Sequence, residues 1–374
     1  MWTHEIVGTV TGDRLQNIKL SSNSWAVRMN GQIGSGESVI ETSDPMYEGW
    51  SSEFWMDITK PWARTIVGKY QNGPVWGHVI TGRSYDLASG QLRIRHAEVG
   101  ELLKKRLFFP VTGYSNSAFV EFGPFTREGM LTSVARHACG GGYWADVTHR
   151  RLPVHFDTPA TGGWTRRTYQ HEFEHPWNWM TAIADGDPGV DFVFAAGFGS
   201  DSGEGGEIAG FQWVFHTGSP IERSTHEYSV TAPESPVLSA SIDWDAVDHA
   251  TGVFALGEGQ GSARPVGRVG SLETPEVPRV INLGQEASVA SLDAAAMGEW
   301  SAVRVPAEVW SVQLNADRVL APMYGGVNDG LRPGSRLVLQ FQDDPVMGSG
   351  TREFYVVGMS GGLGSVVTVE GQLL

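Results

Sequence analysis

The sequence predicts a β-rich α+β protein, with two related small β-barrel domains near the chain ends and an α/β region inserted between them. Three observations lead there. Short apolar–polar alternation broken by glycine runs along most of the chain, the pattern of strands joined by turns. Glycine accounts for 48 of 374 residues, about double the usual ~7%. A stretch near residues 60–77 recurs near residues 332–348, which implies a repeated unit.

The elements follow in order. Trp25-Ala26-Val27-Arg28-Met29 alternates as a strand and runs into Asn30-Gly31, a hairpin-type turn. Further strands are expected over 75–80 and 92–94, separated by the turn residues Asp86, Ser89 and Gly90. A short helix over 97–106, with Val99, Leu102 and Leu103 on one face, completes a first barrel domain, residues 1–110. Residues 111–230 form the α/β middle domain. Thr126 caps a helix to about Ala138, with Gly140-Gly141-Gly142 ending it, and Pro176 opens a second helix that runs to Asp185. Buried strands over 191–195 and 211–215 flank a polar excursion over 199–206. Prolines over 232–236 mark a boundary. Residues 231–374 then form the second barrel domain, with a helix-containing insertion. That insertion holds a strand near 251–256, a Gly- and Pro-rich loop through Pro278 and a helix near 285–302. The helix stripe is Val289, Leu292, Ala296 and Trp300.

In the repeat, Pro61 and Arg64 correspond to Pro333 and Arg336, Tyr70-Gln71 to Phe341-Gln342, Pro74-Val75 to Pro345-Val346, and Gly77 to Gly348. Each copy reads as an extended strand, a turn built from Pro and Gly, and a return strand. Three chains carrying two copies each can close a ring of quasi-sixfold symmetry.

Composition excludes several classes. Lys and Arg total 27 against 42 Asp and Glu, a net charge of −15, the wrong sign for a general nucleic-acid or anionic-membrane binder. One cysteine excludes a disulfide framework and a cysteine-rich zinc module. No apolar run approaches ~20 residues, so no transmembrane segment is expected. The opening residues lack the basic and apolar regions of a signal peptide. Fourteen tryptophans and 41% hydrophobic residues exclude a disordered chain.

The sharpest local motif is His171-Glu172-Phe173-Glu174-His175, which fits the H-E-x-x-H of zinc peptidases. That chemistry needs both histidines one turn apart on a single helix, with the glutamate activating water. Pro176 directly after His175 pushes that histidine out of the helical region, and 164–170 reads as extended. Residues four apart on a strand lie about 13 Å apart, too far for one zinc. No metal and no cofactor are therefore assigned, and His171, Glu172 and His175 stay as a disfavoured candidate set. Asp185-Gly186-Asp187 with Gly189 and Asp191 lacks the spacing of a calcium loop. Gly257, Gly259 and Gly261 lack the βαβ context of a dinucleotide site. Cys139 beside His137 carries no nucleophile signature and reads as structural. No catalytic residue is assigned. Trp50, Trp55, Trp62 and Trp76 in the first domain and Trp164, Trp177 and Trp179 in the middle read as core and subunit contacts.

Taken in order, several segments resemble the tail-tip or baseplate hub proteins of long-tailed phages, the minor tail proteins of siphophages, whose fold contractile-phage hubs share. They are Trp25–Gly31, Val75–Ile80 with Arg83, Leu102–Arg106, Asp191-Phe192-Val193-Phe194, His216–Pro220, Ala250–Gly257, Pro333–Arg336 and Val357–Ser360. The resemblance spans nearly the whole chain and rests on architecture, with no catalytic motif. It implies a homotrimer in which each chain gives two barrels to a pseudo-sixfold ring. That ring adapts the hexameric distal tail ring to the threefold tip and forms part of the channel for the tape-measure protein and DNA. The implied partners are the distal tail protein, the tape-measure protein and other tail-tip or fibre proteins, without specific nucleic-acid binding, and the implied location is the virion tail tip. Receptor-binding or lytic modules are expected on other proteins, since the chain stops at Leu374 after its last strand. Two other classes stand beside this one. One is an envelope-degrading enzyme, either an H-E-x-x-H metallopeptidase or a glycosidase using unidentified carboxylates. The other is a carbohydrate-binding module using exposed tryptophans.

Overall fold

Period-two alternation buries Asn23, Trp25 and Val27 on one face of the strand Ser22–Arg28, and the same rule builds most of the protein. The computed structural model describes residues 1–71, 73–109, 117–140, 151–186, 189–198, 210–221, 223–270, 275–284, 288–304, 307–320 and 330–373. The expected excursion over 199–206, and Gly141-Gly142 and Asp187, lie outside them. The chain divides into two compact units, Met1–Ser239 with Val312–Gln372, and Ala240–Ser311. Among the described residues no helix is long and apolar enough to cross a membrane.

The first unit is organised by one large sheet. Its neighbouring strands run Arg14–Ile18, Trp2–Gly8, Arg64–Tyr70, Gly73–Asp86, Gln91–Ala97, Ser35–Glu41, Ser22–Arg28, Gly348–Gly361 and Val366–Leu373. The strands of the first domain pair antiparallel. Among the described residues, however, no barrel closes, and the strand order passes directly from the N-terminal strands to the C-terminal ones. At that crossing Arg28 stands opposite Gly358, Val27 opposite Met359 and Trp25 opposite Gly361. Glycine permits it, because a Cβ on Gly361 would lie 2.9 Å from the Trp25 ring and one on Gly358 3.3 Å from Arg28 Nη1. Arg28 then donates to Glu370, with Nη2 to Oε1 at 2.7 Å, and Trp2 Nε1 donates to the Gly364 carbonyl at 2.8 Å.

A run of three neighbouring strands occurs twice, in a register that differs from the sequence match. Arg64–Tyr70, Gly73–Asp86 and Gln91–Ala97 correspond to Arg336–Asp344, Gly348–Gly361 and Val366–Leu373, the middle strand having 14 residues in each. Each unit is entered through a residue of positive φ after proline, Trp62 at 65° and Gly334 at 88°. The aligned Pro-Val-x-Gly residues are not equivalent. Pro74 to Gly77 sit inside a strand, whereas Pro345 to Met347 form the hairpin turn and Gly348 opens the next strand with φ 69°. Gly77 is a strand glycine because the Phe211 ring packs where its Cβ would be, 2.2 Å away. Two unrelated needs for glycine had produced one apparent match.

The middle region packs against this sheet. Thr126 caps Arg127–Ala138 as expected, its side chain accepting from Gly129 N at 3.0 Å, and Pro176 opens Pro176–Ala184. Asp191–Phe198 and Phe211–Gly218 pair antiparallel, and Val154–Phe156 adds a parallel edge. Leu131, Val134, Phe192, Phe211, Trp213 and Phe215 bury themselves with Val7, Val67 and Val79 of the large sheet in one core. The helix expected over 97–106 is shorter, Gly100–Leu103.

In the second unit Gly252–Leu256 lies between Val266–Gly270 and Pro278–Asn282, and Val289–Val303 packs on one face. Val253, Ala255, Leu292 and Ala296 form its core with Trp300 partly buried against it, while Val289, expected in the stripe, is 50% exposed. The loop expected before Pro278 holds the strand Val266–Gly270. Gly267 there sits so close to the helix that a Cβ would lie 2.3 Å from the Leu292 carbonyl carbon.

Trp25 is 1% exposed at the crossing between the chain ends. Trp25→Ala is expected to lower the stability of the first unit by about 3–5 kcal/mol, read from urea unfolding by far-UV circular dichroism. A loss under about 1 kcal/mol would show that the two ends do not pack through it.

Candidate functional site

The H-E-x-x-H segment breaks where proline chemistry places the break. Trp164–Tyr169 is a strand and Gln170–Glu172 a single 3-10 turn. Phe173 then adopts φ 52° in the left-handed region, and His175 is the N-cap of Pro176–Ala184. His171 and His175 therefore stand on different elements. Glu172 is engaged as a cap: its Oε2 accepts from Thr168 Oγ1 at 2.9 Å and Tyr169 N at 2.7 Å. Those bonds hold its carboxyl below the usual range. His171 is exposed beside the Tyr169 ring, and His175 Nδ1 is buried without a hydrogen-bond partner. Among the described residues no group of three His, Cys, Asp or Glu side chains could hold a metal ion.

The weaker motifs have structural duties as well. Asp191 Oδ1 accepts from Asn30 Nδ2 at 2.6 Å, which fastens the Asn30-Gly31 turn to the middle sheet. Gly261 opens only a three-residue 3-10 turn, Gly261–Ala263. Cys139 is buried at the end of its helix, and burial pushes its thiol up to about 12. Its neighbour His137 points away, with Nε2 at 2.7 Å from the Phe108 carbonyl. Of the tryptophans singled out, Trp76, Trp177 and Trp179 are buried, and Trp50, Trp55 and Trp62 are half-buried. Trp164 is 54% exposed, under the Arg127 guanidinium at 4.6 Å.

Sequence reasoning missed a buried histidine–tryptophan stack. The strands Trp2–Gly8, Ser22–Arg28, Gly73–Asp86 and Gln91–Ala97 turn Trp2, His4, Trp25, Trp76, His78 and His96 into one interior. Trp76 stacks on His96 with centroids 5.2 Å apart and planes 12° apart, and on Trp25 at 6.3 Å and 18°. His78 Nδ1 meets His96 Nδ1 at 2.9 Å, and His96 Nε2 meets Ser38 Oγ at 2.9 Å. Between the two Nδ1 atoms one ring donates and the other accepts, so at least one ring is neutral. Burial pushes His4 down to about 4 and His96 to about 3, and lowers His78 well below the usual value. Two Trp-x-His pairs, Trp2/His4 and Trp76/His78, were the available signal, because period two puts both rings on one strand face. The stack is an aromatic core of neutral bases, suited to rigidity rather than to proton transfer with solvent.

No protein-family model and no curated protein sequence matches this chain. Among solved structures it is similar over 99% of its length to the tail protein from Neisseria meningitidis MC58, with 13% identity, a TM-score of 0.57 and 96% of that chain covered. It is similar over 99% of its length to the 43 kDa tail protein of prophage MuSo2 from Shewanella oneidensis, with 10% identity, a TM-score of 0.59 and 98% of that chain covered. A third similar structure is an Escherichia coli component of the type VI secretion system, described as structurally similar to the T4 bacteriophage tail proteins gp27 and gp5. There the identity is 10%, the TM-score 0.50, and the coverage 99% of this chain and 76% of that one. At such identities the likeness is one of fold, a fold shared with these tail proteins.

The histidine stack makes a pH prediction. Histidines whose folded-state affinity for protons is depressed contribute stability that is fully present above about pH 6.5 and falls as the pH drops toward their folded values. Each costs about 1.4 kcal/mol per pH unit inside that window. Glu98, pushed up to about 8 by burial, acts in the opposite sense and gains stability as the pH falls from 8 toward 4.5. Three histidines outweigh one carboxyl, so stability is expected to decline between pH 6.5 and 4.5, above the range where the depressed carboxylates titrate. Urea midpoints that stay level across that window would show that the stack does not stay neutral.

Proposed function

We propose that this chain is a structural hub protein of a phage tail tip, located in the virion tail, with no enzymatic role. In this reading it assembles as a homotrimer. Each chain supplies two hub modules built on the repeated three-strand unit, so three chains present six similar modules. The ring joins a hexameric distal tail ring to a threefold tip and encloses part of the channel for the tape-measure protein and DNA. The observation that carries the reading is the pair of three-strand units, each with a 14-residue middle strand, joined in one sheet. The end-to-end likeness to tail proteins supports it. The non-enzymatic part rests on Glu172 being occupied as a cap and on His171 and His175 lying on separate elements.

The ring contacts in this reading come from the two repeat stretches, 60–77 and 332–348, and burial narrows them. Thr65 to Gly68 and Val75 to Gly77 are buried within the protomer, as are Leu331 to Ser335. Exposed among the described residues are Lys60 and Gln71 in the first copy, and Arg336 and the hairpin from Gln340 to Gly348 in the second, where Val346 is 73% exposed. These exposed ends are the proposed faces between modules.

Negative-stain imaging and mass photometry of the purified protein, alone and with a distal tail protein, are expected to show trimeric rings with six lobes. Val346→Asp combined with Gln71→Glu is expected to weaken ring formation at least about tenfold while leaving the melting temperature unchanged. Rings that form normally from the double variant would refute these faces. A wild-type chain that stays monomeric with its distal tail partner would refute the hub reading.

A further inference from the structure

Two guanidinium groups line one cavity inside the first unit, and among the described residues neither is ion-paired to a carboxylate. Arg332 is 5% exposed, and Arg223 is half-buried. Both line a small, partly open cavity of about 10 Å³, room for one water-sized particle. Its other walls include Val27, Trp76, Val193 and Pro333, so the N-terminal strands, the middle sheet and the start of the second three-strand unit all meet there.

The bonds these arginines make leave most of their donors unused. Arg332 Nη1 donates to the Leu331 carbonyl at 2.8 Å, while Nη2 only reaches the Pro74 carbonyl at 3.5 Å. Arg223 Nη1 stands 3.5 Å from the Pro333 carbonyl. A guanidinium carries five N–H donors, and contacts of 3.5 Å are weak. Among the described residues neither arginine forms an ion pair. The carboxyl that does line the cavity, Glu98, turns its Oε2 to the backbone N–H groups of Gly34 at 2.5 Å and Arg28 at 3.2 Å. Burial also favours its neutral form, so it offers little countercharge at pH 7. Burial and the nearby Arg223 lower Arg332 to about 10, which still leaves it protonated at neutral pH. One buried and one half-buried positive charge thus repel each other around a small hole, an arrangement that carries a penalty unless a countercharge is supplied.

We propose that this cavity is a site for a small monovalent anion of halide size, chloride in solution, bridging Arg223 and Arg332. The volume selects the class. A phosphate or sulfate, with four oxygens around its centre, exceeds the space, and a water molecule fits but brings no charge; a single halide ion, somewhat larger than water, needs only an outward shift of the half-buried Arg223. A halide is spherical, needs no directed lone pairs and accepts from several N–H donors at once. Its role is structural. It fastens Arg332, at the entry to the second three-strand unit, to Arg223 on the segment that follows the middle sheet, beside Trp76 of the first unit.

The test is thermal unfolding of the full chain at fixed ionic strength, replacing sodium gluconate stepwise by sodium chloride or sodium bromide. The melting temperature is expected to rise with the logarithm of halide concentration, as linkage requires for an ion bound only by the folded state. Crystals soaked in bromide are expected to show an anomalous peak between the two guanidiniums. Arg332→Met is expected to abolish the halide response, and Arg223→Gln, on the half-buried side, to weaken it several-fold. If Arg332→Met does not fold, Arg223→Gln and the bromide peak decide. Equal melting temperatures in gluconate and chloride, no bromide peak in the cavity, or a full halide response in Arg223→Gln would each overturn the site. None of these readouts depends on assembly, so the site stands or falls apart from the hub reading.

Discussion

The pairing of Ser22–Arg28 with Gly348–Gly361 is the contact on which the first unit depends. It joins residues more than three hundred positions apart, so it carries a substantial chain-ordering cost that only packing can offset. The offset is visible at the crossing. Two glycines let Trp25 and Arg28 lie flat against the opposite strand, Trp25 continues the aromatic stack begun by Trp76, and Arg28 reaches Glu370. Because one three-strand unit lies on each side of this crossing, its geometry sets how the two copies are placed in the large sheet. The middle region depends on the same sheet, since Phe211 seats on Gly77 and Trp213 Nε1 donates to its carbonyl at 3.1 Å.

Polar chemistry in the interior is spent on rigidity. Three histidines are held neutral among tryptophans, Glu98 caps two backbone N–H groups, and Glu172 caps a turn. These groups are held by burial or by hydrogen bonds to the backbone, so their ionisation is coupled to folding. The likeness to the tail proteins is one of fold.

Much of the local structure was legible. Thr126 and Pro176 marked two helix starts, and Pro176 separated His175 from any helix shared with His171. Leu292 and Ala296 named the buried side of the last long helix. Two strands of the second unit were not legible: Val266–Gly270 carries two glycines and lies against the helix, and Pro278–Asn282 opens on a proline and is fixed by parallel pairing with Gly252–Leu256. The sequence match of Pro74 to Gly77 with Pro345 to Gly348 misled, since a proline and a glycine serve a hairpin turn in one place and the interior of a strand in the other.

By itself, then, the sequence determined what each short segment does: which runs alternate, where helices are capped, and where a proline places His171 and His175 on different elements. These properties rest on interactions within about four residues along the chain, where backbone sterics and capping act. Only the tertiary structure decided that the two ends share one sheet, that Trp2, His4, Trp25, Trp76, His78 and His96 meet in a single stack, and that Arg223 faces Arg332. Those are choices of partner across hundreds of residues. Many strands of similar pattern compete for each position, and the winner is set by how closely side chains and glycine gaps fit together.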